Sequence, residues 1–269
     1  MNMHERTEAM PASHAGEVLE LSPEQMEVTA TGSLALNENL LIGFTPGDKR
    51  ARAFNLLRTQ VAKRIAAKGH KLVGIASATP DAGKSFIAIN LAAALARLSE
   101  ERVLLVDLDL RRGSVGASLG IQPEIGISDY LAGHVPTLQS VGRHIEGANL
   151  DVLLTNPVGS ESAELLTRPT FDRLLDNLRV GTGNSVVFCD MPPAFANDDA
   201  MLTMQKLDAF IFVVDAGRNN KKQVQNALAM FAPTPCIGTF LNRYVVVMLA
   251  LGFGLFALGI GYAYACERL

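Results

Sequence analysis

Six short apolar runs recur along the chain: 72–76 (LVGIA), 103–107 (VLLVD), 151–155 (DVLLT), 185–190 (SVVFCD), 209–215 (AFIFVVD) and 237–241 (IGTFL). Each is apolar almost throughout rather than at every second position, which marks strands buried on both faces. Segments of helical character separate them, so the connections are right-handed crossovers and the strands run parallel. The pattern predicts an α/β fold, doubly wound around a mainly parallel sheet.

The helices are readable as well. Between 49 and 68, Phe54, Leu57, Val61 and Ile65 recur at helical spacing, while Arg50, Arg52, Arg58, Lys63, Arg64 and Lys68 occupy the remaining surface. Gly69 is placed to cap this helix. Its basic face fits a solvated surface, or contact with anionic lipid or a neighbouring subunit. Alanine and leucine dominate 84–98; Ser160 is expected to cap a helix carrying Leu165 and Leu166, and Pro169 to interrupt before Leu174 and Leu175.

Both ends depart from this pattern. Residues 1–38 are read as a disordered N-terminal tail, because the first thirty or so are polar, carry Pro11, Gly16 and Pro23, and show no helical or strand period. At the other end, 244–266 (YVVVMLALGFGLFALGIGYAYAC) carries no charge. At about 1.5 Å per residue, roughly 22 residues reach about 33 Å, enough for a C-terminal transmembrane helix. Tyr244, Tyr262 and Tyr264 sit at its ends, where amphipathic rings favour the interface, and Arg243 lies on the domain side. A buried core helix or an oligomer contact is the alternative. Gly252, Gly254, Gly259 and Gly261 suit close helix packing. The expected arrangement is a tail anchor in the inner (cytoplasmic) membrane, with the domain at 39–243 facing the cytoplasm.

Composition narrows the class. A chain of 269 residues with 48% apolar content can pack one large α/β domain or two small ones. A net charge of −3 provides no global case for nucleic acid, and none is expected as a partner. Cys189, Cys236 and Cys266 lack CxxC spacing, so neither a zinc site nor a disulfide framework is expected and a reducing compartment fits. No export signal is visible at the N-terminus.

Three segments carry chemistry. Ser77 to Ser85 (SATPDAGKS) lies between an expected strand and an expected helix, the context of a phosphate-binding loop, although Ala78 stands where GxxxxGK[ST] begins with glycine. There Gly83 permits close backbone approach, Lys84 offers a point charge and the Ser85 hydroxyl can ligate Mg2+. In VLLVDLDLRRG, Asp107 and Asp109 fall on one side of an extended chain, with Arg111 at the same interval. Asp190 ends the apolar strand of VVFCDMPP in the manner of a Walker B aspartate, and Pro192 and Pro193 stiffen the exit. Strand tips of open α/β sheets converge on one crevice, so the three segments together predict a P-loop NTPase.

This ordered set resembles the bacterial tyrosine kinases (BY-kinases) of exopolysaccharide and capsule biosynthesis, within the MinD/ParA-like P-loop ATPases. The resemblance covers about 40–243 and extends to AFNLLRTQV (53–61), GISDYLAG (126–133), ESAELL (161–166) and LNR (241–243). It implies ATP as phosphoryl donor, bound by Pro80, Asp81, Ala82, Gly83, Lys84, Ser85 and Phe86 and by Asn242 and Arg243, the asparagine at the adenine. It implies Lys84, Asp107 and Asp109 as catalytic residues, Asp107 being the candidate base, and Ser85, Asp107 and Asp190 as holders of Mg2+. A polysaccharide co-polymerase or other exopolysaccharide machinery is the implied partner, and a homo-oligomer is possible. A MinD/ParA-type switch ATPase without kinase activity and a degenerate nucleotide-binding scaffold are the alternatives.

The chain also departs from that family. Its loop reads Pro80-Asp81-Ala82-Gly83-Lys84 where the family has PGEGK, which puts a negative charge near the phosphates. The family's ExxRxxR helix is represented by Arg52, Asn55 and Arg58, so its glutamate has become a cation. The hydrophobic run replaces the family's tyrosine-rich tail, leaving Tyr130 and three boundary tyrosines.

Overall fold

A computed structural model describes residues 26–31, 36, 38–45, 47–99, 102–183 and 185–243. Strands β1 (Glu27–Thr29), β2 (Leu72–Ser77), β3 (Val103–Asp107), β4 (Gly142–Ile145), β5 (Leu150–Leu153), β6 (Val186–Asp190), β7 (Ala209–Asp215) and β8 (Cys236–Asn242) form one sheet. Their order is β1-β4-β5-β3-β6-β2-β7-β8. All neighbours are parallel except β4 and β5. The helices are α1 (Arg52–Lys68), α2 (Lys84–Ala96), α3 (Ser114–Leu119), α4 (Ile127–Ala132), α5 (Ser162–Leu166), α6 (Pro169–Gly181), α7 (Asp199–Met204) and α8 (Lys221–Met230).

The six apolar runs all become strands, and the central ones are buried on both faces because helices cover both. Leu72 and Ala76 of β2, Val106 of β3 and Phe212 of β7 pack with Phe171, Leu174 and Ala227 on one side. Val73, Ile75, Leu105 and Val213 pack with Phe54, Val61, Ile87 and Leu91 of α1 and α2 on the other. Gly69 ends α1 in the left-handed conformation (φ 66°) that glycine adopts without a Cβ penalty. Part of the basic face of α1 is structural: Arg58 donates to the Ala94 carbonyl (2.9 Å), and Arg64 donates to the Ile237 carbonyl on β8.

Two local expectations are corrected. Within the segment read as a tail, Glu27–Thr29 forms the sheet's edge strand beside β4. Met26 packs there as a buried core residue, and Arg143 pairs with Glu27 at 3.1 Å. Ser160 does not cap a helix; it lies in a single 3-10 turn (Gly159–Glu161) whose preceding residue makes no side-chain cap bond. The helical stretch is interrupted ahead of Pro169, between α5 and α6, as expected; Pro169 itself opens α6, since its fixed φ and missing N–H suit a first turn. Among the described residues, no helix is long and apolar enough to cross a membrane; the run at 244–266 lies outside them.

Candidate functional site

β2 delivers the chain into the loop at its carboxyl end, and α2 begins at Lys84. Ala78 is fully buried in the core, and its carbonyl accepts from Phe195 N at 3.1 Å, while that of Ser77 accepts from Ala194 N at 2.8 Å. The start of the loop is thus tied to the segment leaving β6, and an alanine methyl is accommodated there. Farther along, Asp81 (φ 58°) and Gly83 (φ 92°) are left-handed. The left-handed backbone favours glycine at Gly83, and a Cβ at that position would lie 2.2 Å from Asn242 Nδ2, so the amide would have to move.

β8 holds the loop from the other side. Asn242 Nδ2 donates to the Ala82 carbonyl (2.9 Å), and Arg243 Nη2 donates to that of Asp81 (3.1 Å). Arg243 Nη1 also donates to the buried carboxylate of Asp215 at the end of β7. The structure therefore brings Asn242 and Arg243 to the loop, with their donors on its backbone.

The carboxylates gather on the next two strands. Asp107 of β3 stands opposite Asp190 of β6, and both are fully buried. Asp107 accepts from Val115 N (3.0 Å) and Asp109 N (3.2 Å). Asp190 Oδ2 accepts from the Ser85 hydroxyl, whose oxygen is 2.6 Å from Ser114 Oγ. Asp190 Oδ1 and Asp109 Oδ2 are buried without a hydrogen-bond partner. Burial, reinforced by Asp190, holds the Asp107 carboxyl well above the usual carboxylate range. Burial also pushes Asp190 up to about 6, against the opposing pull of Lys84 and the Ser85 hydroxyl. Asp109 is raised by burial too, with Lys84 and Arg112 acting in the other direction.

A cavity of about 170 Å³ opens over this group, lined by Gly83, Lys84, Ser85 and Phe86 on one side and Asp109, Arg112 and Ser114 on the other, with Asp81 at its edge. Of the three aspartates, Asp109, two residues past the end of β3, lines the cavity, while Asp107 and Asp190 do not. Lys84 is only 6% exposed, and its positive charge acts on the Asp190 and Asp109 carboxyls. Pro80 and Ala82 shape the loop without lining the cavity. A larger cavity, about 310 Å³, lies between α1 and α2 at the amino end of β3 and β6; no carboxylate lines it, and it is remote from the loop.

Several residues here escaped the sequence. Ser114 and Arg112 follow the Asp107 motif but carry no pattern of their own. Asp199, at the start of α7, is buried and accepts from Arg111 Nε (3.1 Å), Ser162 Oγ (2.7 Å) and Asn197 Nδ2 (3.0 Å). Arg111 is thereby turned towards α5 and α7. Its spacing from Asp109 is the one available signal, and that spacing does not reveal the partner.

Comparison with known proteins agrees with this geometry. Tyrosine-protein kinase etk of Escherichia coli (strain K12) is 32% identical over 179 residues, 66% of this chain and 24% of that protein. This chain thus spans about a quarter of the length of the curated relatives of that kind. Tyrosine-protein kinase YwqD of Bacillus subtilis (strain 168) is 27% identical over 209 residues, covering 77% of this chain and 86% of that one. The solved kinase domain of Escherichia coli tyrosine kinase ETK superposes with a TM-score of 0.70 at 27% identity, covering 84% of this chain and 94% of the domain. Residues 73–248 match the CobQ/CobB/MinD/ParA nucleotide binding domain, so the chain belongs to that family, and its similarity within it is to the bacterial tyrosine kinases.

Proposed function

We propose that the chain binds ATP with Mg2+ across the tips of β2, β3 and β6 and transfers its terminal phosphoryl group to a protein tyrosine, in the service of exopolysaccharide synthesis and export. The observation that carries this reading is the group formed by Ser85, Asp190 and Asp107, in which a loop hydroxyl bonds one of two carboxylates facing each other across adjacent strands.

The residues fit a magnesium nucleotide. Two buried carboxylate oxygens, Asp190 Oδ1 and Asp109 Oδ2, lack partners, which is costly unless a cation or a donor completes them. Magnesium is commonly held by one or two carboxylates together with substrate phosphates, and no cage of three acidic, histidine or cysteine ligands occurs among the described residues. Ser85, Asp107 and Asp190 would hold the ion, which supplies neutralisation of phosphate charge. Lys84 offers its ammonium to the terminal phosphates, and the backbone of 80–86 cradles them at the amino end of α2. Asp109, with a free oxygen on the cavity wall, is placed to accept the proton of an incoming hydroxyl. Asp107, bonded to two backbone N–H groups, positions the turn that carries Asp109. Catalysis on this reading is chiefly positioning and charge neutralisation. The partner is a polysaccharide co-polymerase, and the run at 244–266 attaches the domain to the inner membrane.

One observation favours a second reading, a nucleotide-dependent switch without kinase chemistry. Among the described residues Tyr130 is the one tyrosine, and it is half-buried against the core.

Full-length protein in detergent, incubated with γ-labelled Mg·ATP, separates the two readings. Label on tyrosine, lost in Lys84→Ala, supports the kinase. Free phosphate without protein label supports the switch, and bound nucleotide with neither product leaves a scaffold.

A further inference from the structure

The cavity is bridged by an ion pair that the phosphate-binding pattern does not call for. Arg112 Nη1 donates to Asp81 Oδ1 at 3.0 Å, and both side chains line the cavity, on opposite walls. Asp81 occupies a left-handed backbone position (φ 58°), where a non-glycine side chain is unfavourable. Its carbonyl is held by Arg243, so the backbone is fixed from β8 while the side chain stays free to swing. Arg112 is anchored likewise, its N–H donating to the Asp109 carbonyl at 3.0 Å. The pair is largely exposed, 50% for the arginine and 68% for the aspartate, so it is weak enough for a competing anion to displace.

We propose that Arg112 is a phosphate-binding residue of this site and that Asp81 is its built-in competitor, the two forming a latch that the nucleotide's phosphates must open. The inference rests on the nucleotide reading above. A triphosphate brings several negative charges to the cavity floor beside Lys84, repelling the Asp81 carboxylate and attracting the Arg112 guanidinium. Arginine's planar fork suits phosphate oxygens as well as it suits a carboxylate, so Arg112 exchanges one partner for the other. Asp81 therefore lowers affinity in two ways: its carboxylate lies near the phosphates, and it holds Arg112 away from them.

Calorimetric titration of the full chain in detergent with Mg·ATP tests this through a double-mutant cycle. Asp81→Asn removes the charge with little change of shape, and both side chains are exposed, so packing is undisturbed. Asp81→Asn is expected to tighten Mg·ATP binding about fivefold in the native background, but at most about twofold when Arg112→Gln is also present, the difference being on the scale of an exposed ion pair. Arg112→Gln alone is expected to weaken binding about threefold or more. Equal gains from Asp81→Asn in both backgrounds, or unchanged affinity in Arg112→Gln, overturn the latch and leave the nucleotide reading standing. Absence of binding to the native chain and to every variant overturns the nucleotide reading and the latch together.

Discussion

Asp107 and Asp190 are register partners on β3 and β6, two fully buried carboxylates facing each other at the tips of adjacent parallel strands. Like charges so placed disfavour joint ionisation, and the folded chain therefore takes up a proton there more readily than the unfolded chain does.

The sign of the resulting pH dependence follows. With Asp190 pushed up to about 6 and Asp107 raised as well, the folded state binds more protons than the unfolded state from about pH 4 upwards. Stability of the metal-free chain accordingly falls as pH rises through that window. Thermal melts should show a higher midpoint at pH 5 than at pH 7.5, and Asp190→Asn should flatten the difference. The same substitution should lower turnover about a hundredfold or more, because a Mg2+-bearing carboxylate is lost. A native chain that melts higher at pH 7.5 than at pH 5 without metal would contradict the assignment.

Gly83→Ala should destabilise the fold by at least about 1 kcal/mol, since it meets both a left-handed backbone and Asn242 Nδ2 at 2.2 Å. Adding Asn242→Ala should recover part of the loss by removing the collision, while the backbone contribution persists. Chemical denaturation of the single and double variants measures the two parts.

Arg243→Ala strips the buried Asp215 carboxylate of its close cation, leaving Arg218 at 4.0 Å. Because Arg243 is itself 44% exposed, water can replace part of the contact, and a loss of about 1 kcal/mol is expected. The Asp81 carbonyl loses its donor in the same step, so Mg·ATP affinity should fall along with stability. Unchanged affinity in a destabilised Arg243→Ala chain would separate Arg243 from the loop's function.

Removing 244–269 should shift the protein from the membrane pellet to the supernatant after cell fractionation. A truncated chain that still sediments with membranes would place the attachment elsewhere, with the exposed basic residues of α1 the next candidate.

The amino-acid sequence by itself determined the central architecture. Parallel strands covered on both faces must be apolar throughout, so β2, β3, β5, β6, β7 and β8 announce themselves in local runs. Lys84 and Ser85 are legible for a related reason, since a loop that wraps phosphate is built from consecutive residues. Asp107 and Asp190 could be named as strand-end carboxylates, but their facing each other depends on β3 lying beside β6, a pairing between distant segments. The short strands β1 and β4 were hidden because three or four partly polar residues have no periodicity to read. Tertiary structure alone decided that Arg112 meets Asp81, that Arg243 joins Asp215 to the loop, and that Asp199 receives Arg111. Each contact joins segments that follow separate strands, and strand order, which no local pattern encodes, sets which of them are neighbours.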